Sequence, residues 1–554
     1  MSRRIVCRAS LLLLGLSLMA AAWRPAPARA QAPPSSRYED LVQLFNDWRV
    51  FETPRRSNGV PDYTARAMAA QHAELATYQR RLAAINPSRW PVAQQVDYRL
   101  VRAEMNGLDF DHRVRQPWAR DPAFYTVIHA AQSDVPAHEG PSMHGGIEVW
   151  TYEFPVAGAR LTDLQTRLRA VPAILEQARH NLVGDARDLW VASIRSAREQ
   201  SATLAALADR LALTQPGLVA DVKSARRAVD DFAAWLEAEA PKKQGPSGVG
   251  VEHYTWYLKN VHLLPYTWQD QLVMVRRELA RSLAALALEE HRNRALPPLA
   301  PVASEDEYTR RFNEAVSEYI AFLRDREVLS VAPYMDAALR ARIGRFRPSP
   351  GPREFFAEVD YRDPVIMRTH GFHWMDLARM AEDPHPSPIR RVPGLYNLWD
   401  GRAEGLATGM EEMMMNVGLF DARPRARELI YVLLAQRAAR AMGDLMMHAN
   451  RWTLEEAASY ATSWTPRGWL RLDGETVWAE QHLYLQQPTY GTSYVIGKIE
   501  IEQLIADVAR QRGHRFTLKS FMDDVQASGV IPVSLIRWEM TGLDDEWATR
   551  REDR

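Results

Sequence analysis

The residues best equipped for chemistry lie between Thr369 and Tyr494, and the stretch Thr369-His370-Gly371-Phe372-His373-Trp374-Met375-Asp376 opens that region. On a helix, His370 and His373 stand three apart and project from one face, about 5–6 Å apart at Cβ. That separation suits two ligands of a single Zn²⁺, whose bonds to imidazole nitrogen are about 2.0–2.1 Å long. Asp376, three residues further on, is placed to orient one ring or to serve as a third ligand. Two hydrogen-bonded histidines with no metal would give the same spacing. The pattern also differs from the His-Glu-x-x-His of zinc peptidases, in which the Glu is the general base.

Asp400-Gly401-Arg402-Ala403-Glu404-Gly405 leads into a second polar group. Glu404 and Glu411, seven apart, face one side of a helix among small and apolar neighbours. A carboxylate in such surroundings needs a metal, an Arg or a His, because burying it unpaired is costly; a solvated acidic face is the plainer reading. Arg437, Arg440, Asp444 and His448 then follow at spacings of three, four and four, forming one stripe. Such a stripe suits an ion-pair network lining a cavity or an ordinary solvated face. The last group is Pro488-Thr489-Tyr490-Gly491-Thr492-Ser493-Tyr494. A phenol can donate to an oxyanion, which nominates Tyr494 for that role and Tyr490 as a substrate contact, against a purely structural pair.

Helices must position these groups. Apolar residues recur at spacings of three and four over Asp40–Trp48, Thr64–Ala84, Gln94–Gly107, Leu161–Leu182, Ala186–Leu213 and Gly217–Ala238. Pro87, Pro172, Pro216 and Pro241 punctuate them as starts or breaks. Lys242 to Gly248 reads as a loop that separates a helical half over residues 31–245 from a second half over 246–554, which carries the candidate site. Proline-rich breaks follow at Arg345–Arg353 and Pro384–Pro393. Strand signals are few, the best being Ile147–Phe154. The expectation is a mainly α, multi-helix fold with few short strands.

Composition narrows the function. Across 554 residues, 69 basic residues balance 69 acidic ones, so nothing in the net charge calls for nucleic acid or an acidic membrane surface. Arg3, Arg4 and Arg8 precede an apolar run over Ala9–Ala22, and the small-residue site Ala28-Arg29-Ala30 follows. This reads as a signal peptide cleaved near Ala30, too short in its apolar run to span a membrane. The only cysteine, Cys7, leaves with it and sits ahead of the apolar run, which argues against a lipid anchor. The mature chain is expected to be periplasmic or secreted, without disulfides, thiolate chemistry or a transmembrane segment.

Together these pieces resemble the bacterial family known as domain of unknown function 885, over about residues 36–545. Its Glu-Gly-Trp-Ala-Leu-Tyr-x-Glu pattern is similar to Glu404 through Glu411, with Leu406 and Gly409 replacing Trp and Tyr. Its Arg-Ala-x-Arg…Asp…His helix is similar to Arg437-Ala438-Ala439-Arg440, Asp444 and His448. Its Pro-Gly-Gln-Ala-x-x-Tyr-x-x-Gly resembles Pro488 to Tyr494 and Gly497, and its C-terminal Phe-His-Asp resembles Phe521-Met522-Asp523. Val251 to Leu258 resembles the Gly-x-Glu-x-Tyr…Leu element. The resemblance implies a helical, zincin-like fold and a metallopeptidase-like site with His370, His373 and Glu404 on zinc. The family's His-Glu-x-x-Pro-Gly-His-His is here shortened to His370-Gly371-Phe372-His373, without the Glu. The general base is therefore open, with Asp376, Glu411 and His448 as replacements, Arg440 beside Tyr490 as a substrate contact, and Arg437 and Asp444 as supporting network. The function expected is metal-dependent cleavage of a peptide, amide or ester, on a small peptide or envelope-derived substrate. The alternative is a pseudoenzyme that binds such a ligand without turnover.

Overall fold

The computed structural model describes residues 36–348 and 353–548. The export segment with Cys7 and the Ala28-Arg29-Ala30 site lies outside them, as do Pro350 and Pro352. Helices dominate, so the fold is mainly α. The six N-terminal periodic stretches form helices Tyr38–Glu52, Ala65–Ala83, Val92–Phe110, Gly158–Asn181, Arg187–Thr214 and Val219–Glu239. Pro172 does not break its helix. Among the described residues the strands are two-residue pieces. Arg56–Ser57 pairs antiparallel with Val60–Pro61, and Ile128–His129 pairs parallel with Ile147–Glu148. The strand expected over Ile147–Phe154 ends after Glu148, where Val149–Thr151 turns into a single 3₁₀ turn. Among the described residues, no helix is long and apolar enough to cross a membrane.

Packing does not follow the loop at 242–248. One core lies between the helices spanning residues 158–239 and the small parallel sheet. A larger core joins the first three helices to the second half, with Trp48, Val96 and Phe110 packing alongside Tyr257, Met410 and Ile430. A third, smaller cluster brings Val135, Ala186 and Leu189 against Trp399, Ala403, Tyr490 and Tyr494. The candidate site sits at this seam.

Three helices of the second half frame it. The glutamate helix, Asp400–Asn416, packs along the tyrosine helix, Tyr490–Arg512, and both adjoin the arginine helix, Pro424–His448. Glycine sets the first of these contacts. A Cβ on Gly405 would fall 2.4 Å from Gly497 Cα, and one on Gly497 would fall 2.0 Å from the Gly401 carbonyl oxygen. The two backbones therefore touch, which holds Glu404 against the first turn of the tyrosine helix. Asp444 of the arginine helix caps that turn, accepting from the backbone N–H of Thr492 at 3.1 Å and of Thr489 at 3.4 Å.

Candidate metal centre

His370 and His373 do not share one helix, contrary to the spacing argument. His370 ends the short helix Pro364–His370, which starts with Pro364 behind an Asp363 cap. Gly371, with ψ of 5°, interrupts the backbone, and His373 lies in the first turn of helix Phe372–Glu382. The break turns the rings towards each other. Their centroids are 5.0 Å apart and the planes stand at 82°.

Glu404 meets both rings from the glutamate helix. One donor atom from each of His370, His373 and Glu404 lies within 4.8 Å of the others. Ligands bonded to one Zn²⁺ at 2.0–2.2 Å sit about 3.4 Å apart in tetrahedral geometry, so a modest inward adjustment would complete the set. His373 Nε2 is 3.1 Å from Glu404 Oε2. This buried nitrogen has no other partner. Two imidazoles and a buried carboxylate turned towards one another are the donor set a cation takes, and the residues fit zinc on that ground. Tyr494 donates to Glu404 Oε1 at 3.0 Å, and Tyr490 donates to the same oxygen. Burial pushes the Glu404 carboxyl up, but the neighbouring histidines and phenol outweigh it and hold the group at about 2. Burial likewise pulls His373 down, and the charges of Glu404 and Asp134 reverse this to about 9.

The remaining sequence candidates have other duties. Glu411 is fully buried and takes a two-pronged bond from Arg437 at 2.7 and 2.8 Å. The same carboxylate lies 3.1 Å from His370 Nδ1, which Arg437 also reaches at 3.2 Å. Glu411 thus orients His370 rather than facing the cavity as a base, a common arrangement behind metal-binding imidazoles. Asp376 is occupied by Arg402, which holds both its oxygens, at 2.8 and 3.1 Å. His448 is buried and bonded through Nε2 to the Tyr484 carbonyl at 2.8 Å, and burial pulls it down to about 4. It supports the fold away from the ligands, beside the capping Asp444, whose carboxyl burial raises to about 8. Arg440 pairs with Glu480 and lies 4.1 Å from the centre of the Tyr494 ring. Tyr490 is completely buried and bonds the carboxylates, so it is not placed to grip a substrate.

A cavity of about 550 Å³ opens on the cluster, walled by His370, Glu404, Arg437, Arg440 and Tyr494. Sequence reading missed a further stretch of its wall, strand residue His129 and the loop that follows it, which supplies Asp134, His138 and Glu139. Glu139 Oε1 lies 3.0 Å from the Tyr490 hydroxyl oxygen. Burial and the charges of Asp134 and Glu404 raise its carboxyl to about 8. Five titratable groups between His129 and His144, in a loop broken by Gly and Pro, were the available signal. The same loop borders a second cavity of about 690 Å³, so His129, His138 and Gly140 to Ser142 stand between the two spaces.

Comparison with known proteins agrees with this architecture. A lipoprotein of unknown function, provisionally so described, from Shewanella oneidensis superposes with a TM-score of 0.65 at 17% identity, covering 91% of this chain and 97% of its own. A second provisionally described lipoprotein, from Colwellia psychrerythraea, gives 0.60 at 13% identity, covering 93% of this chain and 100% of its own. At these identities the likeness establishes the fold alone. No curated protein matches the sequence significantly. The family described as "Bacterial protein of unknown function (DUF885)" matches residues 51–347 and 373–540. The unmatched stretch between them contains His370, where the histidine motif is shortened. With well over half its length matched, the chain belongs to the DUF885 family.

Proposed function

We propose that the protein is an exported, zinc-dependent hydrolase of zincin-like type that cleaves an amide or ester bond in a small peptide or envelope-derived substrate. One observation carries this reading: His370, His373 and Glu404 converge within 4.8 Å, and His370 and Glu404 line a cavity of about 550 Å³. Zinc held there would polarise a carbonyl and lower the pKa of water towards neutrality. The protein's own groups supply the rest. Glu411 and Arg437 fix the His370 ring, Tyr490 and Tyr494 hold Glu404, and Arg440 adds positive charge to the cavity wall. Export is supported by the Arg-rich start and Ala28-Arg29-Ala30. The names of the two structural relatives as lipoproteins point to the envelope as well.

Binding without turnover is the second reading. It is favoured by the occupation of Asp376 by Arg402 and of Glu411 by Arg437, which leaves neither free to activate water. Metal analysis of the purified protein after zinc exposure tests the site. Near-stoichiometric zinc, lost in His370→Ala, is expected; no zinc in the unaltered protein refutes the proposal. Zinc-dependent cleavage of a mixed peptide library then separates hydrolase from binding protein.

A further inference from the structure

A hydrolytic site needs an acceptor for the proton of the attacking water. Each residue that sequence spacing nominates is committed elsewhere: Asp376 to Arg402, Glu411 to Arg437 and His370, His448 to the Tyr484 carbonyl. Of the other carboxylates on the cavity wall, Glu480 is paired with Arg440. Asp134 and Glu139 remain.

Glu139 is the one held in place. Its carbonyl oxygen accepts from Asn397 Nδ2 at 2.8 Å, and its Oε1 lies 3.0 Å from the Tyr490 hydroxyl oxygen. The Tyr490 hydroxyl gives its one proton to Glu404 Oε1, so a single phenol oxygen lies between the Glu139 carboxyl and the Glu404 carboxylate. Asn397 is itself fixed in the left-handed region, at φ 51°, where Asn is among the few residues that sit readily. Glu139 thus lines the cavity while held at its backbone and at one carboxyl oxygen.

We propose that Glu139 is the catalytic carboxylate of this site, supplied from the first half of the chain in place of the motif Glu that the shortened segment lacks. This rests on the hydrolase reading above. Oε2 accepts a proton from water as the water oxygen bonds to the acyl carbon. The carbon–nitrogen or carbon–oxygen bond then breaks, and the departing atom takes the proton from Glu139, which returns to carboxylate. One water is consumed, and one acid and one amine or alcohol are released.

Acetohydroxamic acid tests this without a known substrate, because it binds zinc as the anion and passes its hydroxyl proton to a neighbouring carboxylate. Its affinity for the zinc-loaded full chain is measured by calorimetry, beside zinc content, for the unaltered protein, Glu139→Gln, Glu139→Asp and Asp134→Asn. We expect zinc to stay near one per chain in all four. Affinity is expected to fall about 10–100-fold in Glu139→Gln, the worth of one charge-assisted hydrogen bond, and to stay within about twofold in Asp134→Asn. Glu139→Asp, which keeps the acid but withdraws it, is expected to fall between them and substitutes for the Gln variant if that misfolds. Zinc retained with unchanged affinity in Glu139→Gln overturns the assignment and leaves the metal site standing. No zinc in the unaltered protein overturns the hydrolase reading, and the role of Glu139 with it.

Discussion

Arg437→Met is the most direct perturbation of the network behind the ligands. The Arg437 side chain is 1% exposed and that of Glu411 is 0% exposed, and two bonds of 2.7 and 2.8 Å join them. Met fills much of the same volume but leaves the Glu411 carboxylate buried with only His370 beside it. Removing one partner of a buried, two-pronged pair costs about 3–5 kcal/mol, because the surviving charge stays desolvated. The companion change Glu411→Leu removes that charge. The double variant is therefore expected to recover most of the loss, since replacing both members by apolar groups is often neutral or better. Urea unfolding of the four proteins, followed by circular dichroism, gives the coupling as a double-mutant cycle. Midpoints shifted at constant slope report stability alone. If Arg437→Met lost less than about 1 kcal/mol, the pair would be worth no more than an exposed one, and the claim that Glu411 is a buried charge dependent on Arg437 would be refuted.

Gly405→Ala should destabilise the protein by about 1–3 kcal/mol through overpacking, because its Cβ would lie 2.4 Å from Gly497 Cα. A gain of about 1 kcal/mol, as expected for Gly→Ala in an unobstructed helix, would show that the backbones do not touch. His482 is buried with an unpartnered Nε2, and burial together with Arg195 brings its pKa to about 4. The unfolded chain, near 6.5, binds the proton first, so this residue makes stability fall as pH drops from about 6.5 to 4. In His482→Leu the slope of stability against pH over that window should be shallower by up to about 1.4 kcal/mol per pH unit, and an unchanged slope in urea melts would discount it. N-terminal sequencing of protein from the native host should begin at or near Gln31, and an intact Met1 in the cytoplasmic fraction would sink the export reading.

Helices were legible where one face is apolar. The periodicity over Leu161–Leu182 and Ala186–Leu213 locates helices 158–181 and 187–214 within a few residues. The three converging residues were legible through the His-x-x-His spacing of His370 and His373 and the Glu-Gly pattern at Glu404. Their supports were not. Spacing put Asp376 near His373, but whether it meets an imidazole or a guanidinium depends on Arg402, which arrives from another helix. The break at Gly371 escaped the helical reading because a glycine with near-helical φ carries no mark of it. Glu139 was invisible for a different reason. It lies in a loop, where no periodicity constrains a side chain, and its partners are far away in sequence.

That distance sets a timetable. Glu139 and Tyr490 are separated by 351 positions, and Glu139 stands 265 positions before Glu404. Contacts so remote form late, since closing long loops precedes any reward from the contact. A chain crossing a membrane N-terminus first would present its loop long before the ligand helices arrive. A chain released only as far as residue 245 would hold Glu139 without His370, His373 and Glu404. On the proposed function, the seam would join the two parts only once the last long helices have docked.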